Sequence, residues 1–188
     1  CATQSAICDT LVIDSARAPE GTLEAALTAS MVREFKIDTL YARGGIHDSL
    51  ITLDTLIVGW RAGRADGKGT LGYRAPKAGS LTFALASDSL VSLDSLVFAL
   101  AKLQRDTSQD AEPLNGRGEA ALTLTGSLDQ LHGDLDMIVR DLTFQQIRSP
   151  EIAGSARWSS TDRGEIDAVV RADSIHVGKW EVSSLEAR

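Results

Sequence analysis

Asp48-Ser49-Leu50-Ile51-Thr52-Leu53-Asp54-Thr55-Leu56 is written a second time, nearly letter for letter, as Asp88-Ser89-Leu90-Val91-Ser92-Leu93-Asp94-Ser95-Leu96. A second echo joins Glu24-Ala25-Ala26-Leu27-Thr28 to Glu119-Ala120-Ala121-Leu122-Thr123, with Gly21 and Gly116 placed alike before the glutamate. Reuse of short strand-like phrases indicates an extended or repetitive surface, because one such unit cannot bury its apolar face without neighbours.

Around these phrases apolar residues alternate with polar or small ones. Leu23, Ala25, Leu27 and Ala29 fall on one face, and Thr22, Glu24, Thr28 and Ser30 on the other. The same period of two runs through Leu81, Phe83 and Leu85, through Ala120, Leu122 and Leu124, through Leu135, Met137 and Val139, and through Ile166, Ala168 and Val170. This is the pattern of half-buried strands. Gly44-Gly45, Asp66-Gly67, Pro76 with Gly79, Asn115-Gly116, His132-Gly133-Asp134 and Arg163-Gly164 read as the turns between them. About a dozen strands with such short breaks predict a mainly β chain, an elongated antiparallel sheet curled into an open groove.

One stretch has a different period. In Leu90 to Gln104, the residues Leu93, Leu96, Val97, Leu100 and Leu103 recur at helical spacing, with Lys102 and Arg105 suited to a C-terminal turn, so one short helix is expected there. The polar stretch 106–118, with Pro113 and Asn115, reads as a linker. It divides a first groove segment, 1–105, from a second, 119–188, that continues the same sheet.

The formal charge of −7 argues against recognition of a polyanion, which needs a clustered basic face, so nucleic acid is not an expected partner. No apolar run approaches the roughly 20 residues of a membrane-spanning helix. The start on Cys1 and the stop in mid-pattern at Arg188 lead to the expectation of a section from a longer protein, with a lipoprotein acylated on Cys1 as the rival reading. Cys1 and Cys8 are too few for a disulfide scaffold or a zinc site, although their closeness permits a small disulfide loop in an oxidising compartment.

Motifs that carry chemistry elsewhere fail here on context. Gly67-Lys68-Gly69-Thr70-Leu71-Gly72 matches a dinucleotide fingerprint as a string, yet a turn and a strand surround it where a strand and a helix are needed. His132, Asp134 and Asp136 read as a solvated turn rather than a metal site, with His47 and His176 far away in sequence. No serine lies in a nucleophile elbow. The Asp-Ser and Asp-Thr pairs lack the spacing of a calcium loop. Trp60, Trp158 and Trp180 read as packing or rim residues. An enzyme would require distant histidines and carboxylates to converge, so neither activity, metal nor cofactor is expected.

On Gly21 to Leu27, the doubled Asp-Ser-Leu phrases, Ala65 to Tyr73 and Asn115 to Leu128, the chain resembles the TamB family of AsmA-like envelope proteins, within the wider class of bridge-like lipid transporters. The resemblance implies a taco-like β-groove lying across the periplasm of a double-membraned bacterium, in a parent protein anchored in the inner membrane. It also implies phospholipid as cargo and an outer-membrane barrel partner reached through other regions.

Residue patterning agrees with such a groove. Each methylene moved from water to an apolar floor gains about 0.8 kcal/mol, so a continuous aliphatic stripe suffices to hold a fatty tail. The residues expected to line it are Leu23 and Leu27, then Ile37, Ile51, Leu53 and Ile57, then Leu81, Phe83 and Leu85, and in the second segment Leu122, Leu124, Leu135, Met137 and Val139. Strands laid across the groove add about 4.8 Å each, so a dozen give on the order of 55 to 60 Å. Two other readings use the same stripes: a closed structural β-repeat with a dry core, and a chaperone or scaffold for outer-membrane protein assembly that accepts polypeptide by strand addition.

Overall fold

The computed structural model describes residues 4–12, 20–32, 35–91, 114–160 and 166–188. Among them the alternating stretches form thirteen strands of one sheet. The first six are β1 (Gln4–Val12), β2 (Glu20–Val32), β3 (Phe35–His47), β4 (Leu50–Trp60), β5 (Gly63–Gly72) and β6 (Gly79–Ser87). β7 (Asn115–Ser127), β8 (Gln130–Phe144), β9 (Ile147–Ser159) and β10 (Ile166–Ala172) follow, and then the short β11 (Ile175–Val177), β12 (Trp180–Val182) and β13 (Leu185–Ala187).

Neighbours in the sheet are neighbours in the chain from β1 to β10, all antiparallel, and β13 pairs with the outer side of β10. β11 pairs with β9 and β12. The sheet is open and does not close into a barrel. The described residues thus lack the closure that the β-repeat alternative expected. Among the described residues few apolar side chains are buried: Ile37, Trp60, Leu71, Leu90 and Ala172.

Of the expected turns, Pro76 lies in the connection between β5 and β6, and Gly79 opens β6. Asp48 and Ser49 join β3 to β4 with φ of 49° and 63°, the left-handed pair whose twist matches a two-residue hairpin and which aspartate tolerates well. Gly44-Gly45, Asp66-Gly67, Asn115-Gly116 and His132-Gly133-Asp134 are not turns but lie inside β3, β5, β7 and β8. At two of these glycines a neighbouring ring takes the missing side chain's place. A Cβ on Gly67 would come within 2.6 Å of the Phe83 ring, and one on Gly133 would overlap the ring of Trp158. Arg163-Gly164 lies outside the described residues.

The described part of the doubled phrase, Asp88 to Val91, does not repeat the structure of its first copy. Its first copy is a hairpin turn followed by β4, whereas Asp88 and Ser89 leave the sheet after β6 and Leu90 folds over Gly116 and Gly118 of β7. Leu90 N–H donates to the Gly116 carbonyl at 3.0 Å. β7 starts at Asn115, so residues 115–118 of the expected linker are strand. The expected helix beyond Val91, the linker residues 106–113 and the pairing of Cys1 with Cys8 lie outside the described residues.

Buried serines tie strand ends to loops. Ser87 Oγ lies 2.9 Å from the Ser89 carbonyl and 3.2 Å from that of Ala62. Ser149 Oγ lies 2.7 Å from the Ser174 carbonyl and 3.1 Å from that of Glu151. Each hydroxyl thereby satisfies polar backbone that a strand ladder leaves over.

Candidate functional site

The pairing register carries single rows of side chains across the sheet. One runs Leu23, Gly44, Leu53, Gly69, Leu81, Leu124, Gly133, Trp158, Ile166 from β2 to β10. A second on the same face runs Ala25, Ala42, Leu56, Gly67, Phe83, Leu122, Leu135, Ala156, Ala168. The third is Leu27, Leu40, Val58, Ala65, Leu85, Ala120, Met137, Gly154, Val170. No charged residue occurs in any of them. A further row over the last strands brings Val139, Ile152, Ala172 and Leu185 together.

This face is apolar without being dry. Leu23 is 50% exposed and Met137 37%, and most of the other large members are half-buried. It holds a depression of about 470 Å³ lined by Leu23, Ala42, Ile46, Ile51, Leu53 and Leu81, over Gly44. Leu53 on β4 and Leu81 on β6 both reach it because β5 places Gly69 between them. Volumes of this order suit a small apolar ligand segment.

Leu23, Leu27, Ile51, Leu53, Leu81, Phe83, Leu85, Leu122, Leu124, Leu135, Met137 and Val139 all lie on the apolar face. Ile37 is buried against Trp60, with Leu40, Val58, Ala65 and Leu85 around the pair. Ile57 does not belong to this face. Arg43 pairs with Thr55 while the next residue, Gly44, pairs with Leu53, so Asp54 is an extra residue in β4. A bulge of one residue exchanges the faces beyond it. Leu56, Val58 and Trp60 therefore take the apolar side, and Ile57 stands between Tyr41 and Asp66 on the other. Ala42, Ile46, Leu56 and Val58 were missed by the sequence reading.

The chain has no match among family models, curated proteins or solved structures.

The opposite face sets Tyr41, Ile57, Ile138 and several alanines among charged residues and is laced with exposed ion pairs. Arg140 on β8 bridges Glu119 of β7 at 2.9 Å and Glu151 of β9 at 3.3 Å. Arg157 reaches Asp134 at 3.1 Å, and Arg171 reaches Glu186 at 3.1 Å. His132 and Asp134, expected on a turn, and Asp136, expected at the start of a strand, alternate along β8 on this face. Pairs so exposed add little stability each. They do fix which face meets water. Hydrogen bonding to Asp66 raises the Arg64 pKa, and hydrogen bonding to Asp141 raises that of Arg117. The hydrogen bond from Arg171 and then its charge hold the Glu186 carboxyl below the usual range, with Arg188 adding to the effect. Glu20, His47 and Asp48 form an exposed trio at the β2 and β3 ends, with His47 Nε2 3.3 Å from Asp48.

Proposed function

We propose that the chain binds phospholipid acyl chains along the apolar face of its open sheet, as one length of hydrophobic track in a bridge-like transporter between two membranes. The observation that carries this reading is the set of uncharged rows from β2 to β10, over which no other strand of the described residues packs. Each methylene laid on such a floor contributes about 0.8 kcal/mol, so a few methylenes outweigh the absence of any polar recognition group. Head groups stay in water at the open side. The main path of eleven strands from β1 to β13 gives a contour on the order of 50 Å at about 4.8 Å per spacing.

Native mass spectrometry of the purified chain tests the proposal. Bound phospholipid is expected, with photocrosslinks to acyl chains from probes placed at Leu53 and Ile46. Leu53→Arg, which sets a charge in this depression, is expected to abolish the adducts while circular dichroism stays unchanged. Adducts that persist in Leu53→Arg, or crosslinks that go to polypeptide, would reject the lipid track.

A further inference from the structure

At the C-terminal end of the sheet two hairpins lie side by side, one turning at Gln145-Gln146 between β8 and β9, the other at Gly178-Lys179 between β11 and β12. Gly178 N–H donates to the Gln146 carbonyl at 3.1 Å and ties the two tips together. The register sets Phe144, Ile147, Val177 and Trp180 in a single row across all four strands. Ile175 and Val182 stand opposite each other on the same side, one alternation further from the tip. The adjacent row, Thr143, Arg148, His176 and Glu181, points the other way and is wholly polar. The paired tips are therefore amphipathic across their thickness.

This patch lies beyond a break in the trough rows. Arg117 pairs with Arg140 and Asn115 with Thr143, so β8 carries an extra residue around Asp141, whose φ is 56°, and the alternation counted along the strands does not carry through it. Within the patch Trp180 is 80% exposed, Val182 43%, Val177 41% and Ile147 36%. Together these side chains expose on the order of 400 Å² of apolar surface, about half of what each partner of a standard protein interface buries. A stable dimer needs more. An interfacial contact with lipid does not, and tryptophan at the leading tip beside a lysine suits the headgroup zone, where the ring is half solvated and the ammonium reaches water. Lys179 and Glu181 balance within the hairpin, so the −7 charge of the chain resides elsewhere and does not oppose the approach.

We infer that the paired hairpin tips dock on the surface of a lipid bilayer, with Trp180, Val177 and Ile147 inserted to the depth of the headgroup layer, roughly 5–10 Å. The inference does not rest on acyl chains occupying the trough.

Flotation of the purified chain with phosphatidylcholine vesicles tests it. The wild-type chain is expected to float. Trp180→Ala and Val177→Asp are each expected to weaken partitioning by roughly tenfold or more, from the apolar area withdrawn. Leu53→Arg, placed in the trough, is expected to float like wild type, which separates this contact from the lipid track. Circular dichroism checks that every variant retains its sheet. Equal flotation of wild type and Trp180→Ala overturns the inference, as does a wild-type chain that fails to float. Loss of flotation in Leu53→Arg assigns the membrane contact to the trough and overturns it too. Self-association in sedimentation velocity that Trp180→Ala abolishes makes the patch a contact between copies and likewise overturns the bilayer contact.

Discussion

Replacing Gly133 with alanine tests whether glycines in the sheet exist to seat rings from the next strand. A Cβ on Gly133 would overlap Cε2 and Cζ2 of Trp158 and lie 2.6 Å from Cη2. Carbon atoms prefer about 3.5–4.0 Å, so the indole must move by an ångström or more and leave its contacts in the row. Overpacking of this kind costs about 1–3 kcal/mol. Without the ring, the same substitution removes backbone freedom from the unfolded chain and gains about 0.5–1 kcal/mol. The sign of the effect should therefore depend on Trp158. In the wild-type background Gly133→Ala destabilises, in Trp158→Ala it is neutral or stabilising, and the coupling between the two sites is about 1.5–4 kcal/mol. Urea unfolding of the four proteins of this cycle, followed by far-ultraviolet circular dichroism, measures it. Additive substitutions, or stabilisation by Gly133→Ala with Trp158 present, would refute the packing argument.

Two further outcomes are expected. Ile57→Arg, on the polar face opposite Asp66, should change stability by less than about 1 kcal/mol and leave lipid binding intact, whereas Leu56→Arg should abolish lipid binding; equal effects of the two would put the bulge at Asp54 in doubt. Because Arg171 depresses the Glu186 pKa, the contribution of this pair is present above the ordinary glutamate value of about 4.3 and fades as pH falls through the lower folded value. Hydrogen-exchange protection of β13 should fall over that acid window in wild type and lose this dependence in Glu186→Gln.

Strict alternation made much of the apolar face legible. Leu81, Phe83 and Leu85 fall where the period of two puts them, as do Leu122 and Leu124. Counting by twos failed at Ile57 because Asp54 inserts a residue, and the clue was local: Leu56, Ile57 and Val58 are apolar in succession, which no single face can accept. Glycines misled for another reason. Gly67 and Gly133 resemble turn residues in sequence, but they answer to Phe83 and Trp158, partners that only the register reveals. The actual turns Asp48-Ser49 and Gln145-Gln146 contain no glycine at all. Strands of three residues, as in β11 and β12, are too short for any period to show, so the row ending at Trp180 was not foreseen.

From β1 to β10 every strand hydrogen-bonds to the one synthesised just before it. Such a sheet can zip together from its N-terminal end while later residues are still emerging from a ribosome or a secretion pore, with little entropy lost in drawing distant segments together. Evolution can also lengthen or shorten it hairpin by hairpin, since no seam has to be resealed.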